Sequence, residues 1–169
     1  MIVGVMSDTH DNLEALLKAF EIFRKNGVEA VIHLGDIISP FTFMRILEYP
    51  GRIVAVLGNN DGDVLLLKEL AVKAGAVLRR DVYVMEVTGR KIFLMHGFGD
   101  AETTKTIAHA IAITGKFDAI LYGHTHKAEV TQIGKVIVLN PGEVCGYLTG
   151  RRSVATLNTA TLEYKIIEF

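Results

Sequence analysis

Apolar and polar positions along this chain follow two rhythms. Residues Ile2–Met6 are apolar throughout, which suits a short strand buried on both faces. Leu13, Leu16, Leu17, Phe20 and Phe23 then recur at spacings of three and four. That spacing predicts a helix packed on a sheet, with Asp11 and Glu14 as a capping pair and Gly27 as its stop. Residues 30–34 and 53–57 predict two further strands, with a short helix over 42–48 between them, after Pro40. A longer helix over 64–74 lies between Asp63 as N-cap and Gly75 as stop. The chain therefore begins as βαβαβ.

The pattern then changes. Residues 82–87 and 91–95 flank Thr88, Gly89 and Arg90, which reads as a hairpin. Ile107, Ile111 and Thr114 share one helical face that Gly115 ends, and residues 119–122 form another buried strand. Two more hairpins pair 130–133 with 136–139 and 153–157 with 162–167. The hairpins are expected to make a second sheet, giving an α+β fold, a four-layer αββα sandwich of two mixed sheets flanked by helices.

Composition narrows the class. At 169 residues, 50% hydrophobic and 22% charged, with mean hydropathy +0.33, the chain is expected to form one domain over 1–169 with a large core, which excludes disorder. A net charge of −1 without runs of one sign gives no footprint for nucleic acid or an anionic membrane surface. Cys145 stands alone, so neither a disulfide within the chain nor a thiolate metal cluster is expected, which fits a reducing cytoplasm. No stretch approaches the roughly 18 apolar residues of a membrane helix, and the first residues lack the basic region of a signal peptide. The high apolar fraction raises the expectation of a homo-oligomer.

The chemistry collects just past the strands. Asp8 and His10 follow the first strand, Asp36 the second, Asn59, Asn60 and Asp61 the third, His96 the hairpin strand, and His124 and His126 the strand at 119–122. Loops at the carboxyl ends of an open α/β sheet converge on one crevice, so a single site on the first sheet is expected. Imidazoles with carboxylates suit Mn, Fe, Co, Ni or Zn better than Mg or Ca, which favour all-oxygen cages. Asp8, His10, Asp36, Asn59, His96, His124 and His126 exceed the needs of one ion and suffice for two cations about 3.5–4 Å apart, since a carboxylate can bridge them. Two such ions outweigh the two carboxylates and make a local positive site for a phosphate group.

The ordered blocks D-x-H, G-D, G-N-x-[DE], H-G and G-H-x-H, from Asp8 to His126, resemble the calcineurin-like metallophosphoesterase superfamily, and the short chain with Asn140, Pro141 and Gly142 is similar to its small archaeal and bacterial phosphodiesterase branch. The resemblance implies a two-sheet αββα sandwich with a dinuclear centre. One metal would take Asp8, His10, Asp36 and His126. The other would take Asp36, Asn59, His96 and His124, with Asp36 bridging. It further implies a small phosphate-ester substrate, preferentially a diester, attacked in line by a hydroxide bridging the metals, with Mn preferred over Ni, Fe, Co or Zn. The same fold also hosts protein-binding scaffolds, phosphomonoesterases and nucleotide pyrophosphohydrolases. The chain departs from the family at Asn60, where most members carry a histidine thought to help protonate the leaving group. An amide cannot be that acid, so Asn60 is expected to donate to a phosphoryl oxygen and Asp61 has no imidazole to orient.

Other residues invite plainer readings. His33 is expected to be a hydrogen-bonded core histidine or one that supports a ligand, and His109 a structural or surface residue. Arg79 with Arg80, and Arg151 with Arg152, read as solvated turns more readily than as substrate clamps, and Cys145 as a small buried apolar side chain.

Overall fold

In the computed structural model, which describes residues 1–169, β1 (Ile2–Met6), α1 (Leu13–Lys25), β2 (Ala30–His33), α2 (Pro40–Leu47), β3 (Arg52–Val56), α3 (Val64–Lys73) and β4 (Val77–Arg79) form three successive β-α-β steps. Helical crossovers make β1, β2, β3 and β4 parallel neighbours. There follow β5 (Val82–Val87), β6 (Arg90–Met95), α4 (Ala101–Ile113), β7 (Ala119–Leu121), β8 (Ala128–Ile133), β9 (Val136–Pro141), β10 (Ser153–Asn158) and β11 (Tyr164–Glu168). The first sheet has the order β11-β10-β1-β2-β3-β4 and the second β5-β6-β7-β9-β8.

Period-two alternation sorts the side chains into layers. Val3, Val5, Ile32 and Val54 of the first sheet meet Ile92, Leu94, Leu121 and Leu139 of the second in a buried cluster between the sheets. On the other face of the first sheet, Met6, Val31 and Ala55 pack under Leu16, Phe20, Phe43 and Leu67 of the first three helices. Ala108 and Ala112 of α4 cover Met95, Ile120 and Val138 on the outer face of the second sheet. The layers run helix, sheet, sheet, helix, as expected. No helix is long and apolar enough to cross a membrane.

The structure corrects several details of the sequence reading. The terminal hairpin belongs to the first sheet, because β10 pairs antiparallel with β1, Val3 opposite Leu157 and Val5 opposite Ala155. Strands β6 and β7, which precede His96 and His124, lie in the second sheet instead of the first. Alternation within a hairpin fixes its internal partner but carries nothing about which sheet receives it. Strand β4 went unread, since three residues are too few to show a period.

Helix α1 is capped by Asn12, whose side chain accepts from the Ala15 amide at 3.1 Å, rather than by Asp11. Asp11 instead accepts from the Ser39 hydroxyl at 2.7 Å and from the Thr42 hydroxyl. Helix α1 buries Ala15, Leu16, Ala19, Phe20 and Phe23, while Leu13 and Leu17 of the expected stripe are exposed. Helix α2 starts earlier than expected, at Pro40 with Ser39 as cap.

Candidate metal centre

The loops after β1, β2 and β3 are stitched side by side by backbone hydrogen bonds. The amides of Asp8 and His10 donate to the carbonyls of Gly35 and Asp36, at 3.0 and 3.1 Å. Gly123 donates to the His96 carbonyl at 2.9 Å, tying β7 to β6, and the His124 amide donates to Asp8 Oδ2 at 3.1 Å, joining the two sheets. Close approach sets the need for glycine here. Gly35 has φ +98°, and a Cβ on it would lie 2.6 Å from His96 Nδ1, while one on Gly123 would overlap the Ser7 hydroxyl.

Five of the seven expected ligands, Asp8, His10, Asp36, His124 and His126, hold φ between 43° and 67° without being glycine. Left-handed backbone at such residues is uncommon and costs about 1–2 kcal/mol each, and it concentrates at functional sites. Here it turns successive side chains toward one point.

Donor atoms of Asp8, His10, Asp36 and His126 all lie within 4.8 Å of one another. His126 Nε2 is 3.4 Å from Asp8 Oδ1, and His10 Nε2 is 3.4 Å from Asp36 Oδ2 without the alignment of a hydrogen bond. On the other side of Asp36, His96 Nε2 lies 3.5 Å from Asp36 Oδ2, 3.0 Å from Asn59 Oδ1 and 3.2 Å from His124 Nδ1. The structure thus brings all seven residues together, with Asp36 between the two groups. Asp8 Oδ1 and His10 Nε2 are buried without any hydrogen-bond partner, a state that a cation between them would relieve. By donor chemistry and by these orphaned atoms, the residues fit a divalent transition metal.

The imidazoles are aimed from behind. His96 Nδ1 contacts the Leu34 carbonyl at 2.7 Å, His124 Nε2 the Gly99 carbonyl at 2.7 Å, and His126 Nδ1 the Glu143 carboxylate at 2.7 Å, leaving the opposite nitrogen of each for the centre. Glu143 went unnoticed in the sequence, because nothing near it in the chain marks it as a partner of His126. Fully buried, it also accepts from the Cys145 thiol, the amides of Leu148 and Thr149, and the Thr149 hydroxyl.

Without metal, burial drives the Asp8 carboxyl above its ordinary range despite His96 and His126 nearby. Burial pushes Asp36 the same way, but contacts from His10, His96 and Asn60 outweigh it and hold Asp36 well below the usual carboxylate range. His10 is raised, chiefly by Asp36. His96 is also raised, because Asp36 and Asp8 overcome its desolvation.

Asn60 contacts the Asp36 carboxylate, and Asp61 the backbone around it. The Asn60 side-chain amide donates to Asp36 Oδ2 at 2.8 Å and its backbone amide to Oδ1 at 2.9 Å. Asp61 accepts four backbone amides, Ile37 and Ile38 on Oδ1 and Gly58 and Asp36 on Oδ2, between 2.6 and 3.2 Å. His33 is a buried core histidine, as expected, bonded to the Thr9 hydroxyl at 2.8 Å and accepting the Gly35 amide at 3.1 Å. His109, on α4, contributes nothing to the centre. Arg80 and Arg151 are exposed, as the plain reading expects, and each also lines a cavity beside a ligand, Arg80 near His96 and Arg151 near His126. Cys145 is buried, and its backbone amide donates to the Asp8 carbonyl at 3.1 Å.

Residues 1–162 match the calcineurin-like phosphoesterase superfamily domain, and the chain belongs to that superfamily. Phosphodiesterase MJ0936 of Methanocaldococcus jannaschii is 38% identical over 168 residues, covering 99% of this chain and 98% of the relative. A solved archaeal phosphodiesterase superposes with a TM-score of 0.89 at 37% identity, with both chains fully covered. The zinc complex of Vps29 from Entamoeba histolytica shares the fold at 23% identity and a TM-score of 0.67, covering 99% of this chain and 91% of its own.

Proposed function

We propose that the protein is a metal-dependent phosphodiesterase acting on small phosphate diesters at a pair of divalent cations, Mn preferred and Ni, Fe, Co or Zn as alternatives. The observation that carries the reading is the convergence of seven donors from five loops, with Asp8 Oδ1 and His10 Nε2 buried and unpartnered. Asp8, His10, Asp36 and His126 would hold one cation and Asp36, Asn59, His96 and His124 the other. The full-length relative named a phosphodiesterase supports the ester class. When bound, such ions supply Lewis acidity toward phosphoryl oxygens and make water a nucleophile at neutral pH.

The chain's own groups prepare that chemistry. Asp36, kept ionised and pinned through both oxygens by Asn60, presents a fixed charge between the two halves of the centre. Asp61 positions Asp36 by binding its amide together with those of Ile37, Ile38 and Gly58. The carbonyl of Leu34 and the carboxylate of Glu143 fix the ring orientations of His96 and His126. Preorganised donors of this kind need no rearrangement during reaction. We place the protein in the cytoplasm, on its single buried cysteine.

The test is hydrolysis of bis(p-nitrophenyl) phosphate by protein loaded with Mn. Turnover should appear with Mn, vanish with a chelator, and fall more than tenfold in Asp36→Ala and His96→Ala, both of which should keep their circular dichroism. Activity indifferent to metal, or retained in both variants, would reject the assignment.

A further inference from the structure

A cavity of about 490 Å³ opens directly beside Asn59 and His96. Besides the donors Asn59 and His96 and the carboxylate of Asp61, its walls include the apolar side chains of Phe98 and Val64 and the charged side chains of Arg80 and Asp81. Phe98 is 43% exposed and Val64 42%, and neither belongs to any of the three apolar clusters of the core. The Phe98 backbone is nonetheless clamped, since its amide donates to the buried Thr104 hydroxyl at 3.0 Å and its carbonyl accepts from that hydroxyl at 2.9 Å. A partly exposed aromatic ring thus stands on a fixed backbone at the mouth of the site. Arg80 makes no hydrogen bond or ion pair, whereas its neighbour Arg79 stacks over Tyr83 at 5.2 Å.

We propose that this cavity receives the non-leaving arm of the substrate, and that the arm is planar, aromatic and anionic, the chemistry of a nucleotide. The inference rests on the phosphodiesterase reading above, which places the scissile phosphate at the adjoining centre. A planar ring laid on Phe98 and Val64 removes both from water, and stacking of this kind tolerates any base. The Arg80 guanidinium presents a planar fork suited to a second phosphate or carboxylate. Asp81 accepts hydrogen bonds from hydroxyl or ring N–H donors, which selects an arm carrying donors as well as charge. A volume near 490 Å³ is ordinary for a small-molecule site.

Three esters with the same p-nitrophenolate leaving group test this on the full chain loaded with Mn: the methyl ester, the thymidine 5′ ester and the thymidine 5′ ester bearing a 3′-phosphate. The kcat/KM should rise about tenfold from methyl to thymidine and severalfold again with the 3′-phosphate. Phe98→Ala should collapse the first ratio, Phe98→Leu should keep part of it, and Arg80→Ala should collapse only the second. Calorimetry with thymidine 3′,5′-bisphosphate should show binding weakened about tenfold in both alanine variants. Equal kcat/KM across the three esters, or ratios unmoved by the substitutions, would overturn the arm site while leaving the phosphodiesterase reading in place. If no ester is cleaved, that reading fails, and the calorimetry alone then decides for or against the cavity.

Discussion

Glu143 shows how much one side chain can organise. Burial alone would raise its pKa, but the Thr149 hydroxyl and amide, His126 and the Cys145 thiol together hold it down at about 2. The same contact, with desolvation the larger cause, pushes the Cys145 thiol up to about 12, so it stays a protonated donor. Glu143→Gln keeps the shape but turns an NH₂ toward groups that need an acceptor. Because partners behind a ligand typically set metal affinity by 10–100-fold, we expect Mn binding to weaken by about that factor, read by calorimetry, with the fold retained. Wild-type affinity in the variant would show that His126 orients itself. Asn60 allows a second test. General-acid help is worth about 10²–10⁴-fold and grows with the basicity of the leaving group, so the amide here should favour aryl over alkyl esters. Asn60→His should raise kcat/KM on alkyl esters more than on p-nitrophenyl esters. Equal changes on both would place the proton donor elsewhere.

At the scale of elements, the loops matter more than the strands that carry them. Asp61 clasps the turn after β2 to the turn after β3 through four backbone amides. Asp61→Asn replaces one acceptor oxygen with a donor facing those amides and should cost at least about 2 kcal/mol, a fall in Tm of roughly 4–8 °C by calorimetry. Strand β2 ends in His33, whose imidazole burial holds at about 3, against 6.5 when free. Its folded value is depressed, so the stabilisation is complete above pH 6.5 and is lost as pH falls toward 3, with about 2 kcal/mol gone by pH 5. His10 and His96, raised in the metal-free protein, run the opposite way, contributing below pH 6.5 and fading above it. His33 is therefore best followed by itself, as an NMR imidazole signal that should not titrate between pH 8 and 4.5.

The elements were legible because apolar runs and glycine stops are local signals, and the seven donors because each follows a strand. The partner of β10, the sheet of β6 and β7, and the hold of Glu143 on His126 are contacts between residues far apart, and no periodicity encodes them.

Across the whole molecule, the donors come from the ends of both sheets, Asp8, His10, Asp36 and Asn59 from the first and His96, His124 and His126 from the second. Between the sheets the apolar cluster supplies adhesion without direction, whereas at this edge the His124 amide on Asp8 and the paired imidazoles and carboxylates decide how the sheets meet. Without cations the edge also keeps the carboxylates of Asp8 and Asp36 buried close to one another, a repulsion that raises Asp8 further. Metal binding should therefore stabilise the entire sandwich. A ligand that binds only the folded state adds about 2.7 kcal/mol at a hundredfold excess over its Kd, which for a chain of this size is a Tm increase of roughly 5–11 °C. Scanning calorimetry of protein stripped with EDTA and then titrated with Mn should show that rise, growing further with the logarithm of free Mn, while elemental analysis of the loaded protein should give two ions per chain. Asp36→Asn should remove most of the rise, because Asp36 faces both donor groups. His124→Ala should remove only the part due to the ion between Asp36, Asn59 and His96. A Tm indifferent to Mn, or a single ion per chain by elemental analysis, would mean that the seven donors do not hold two ions.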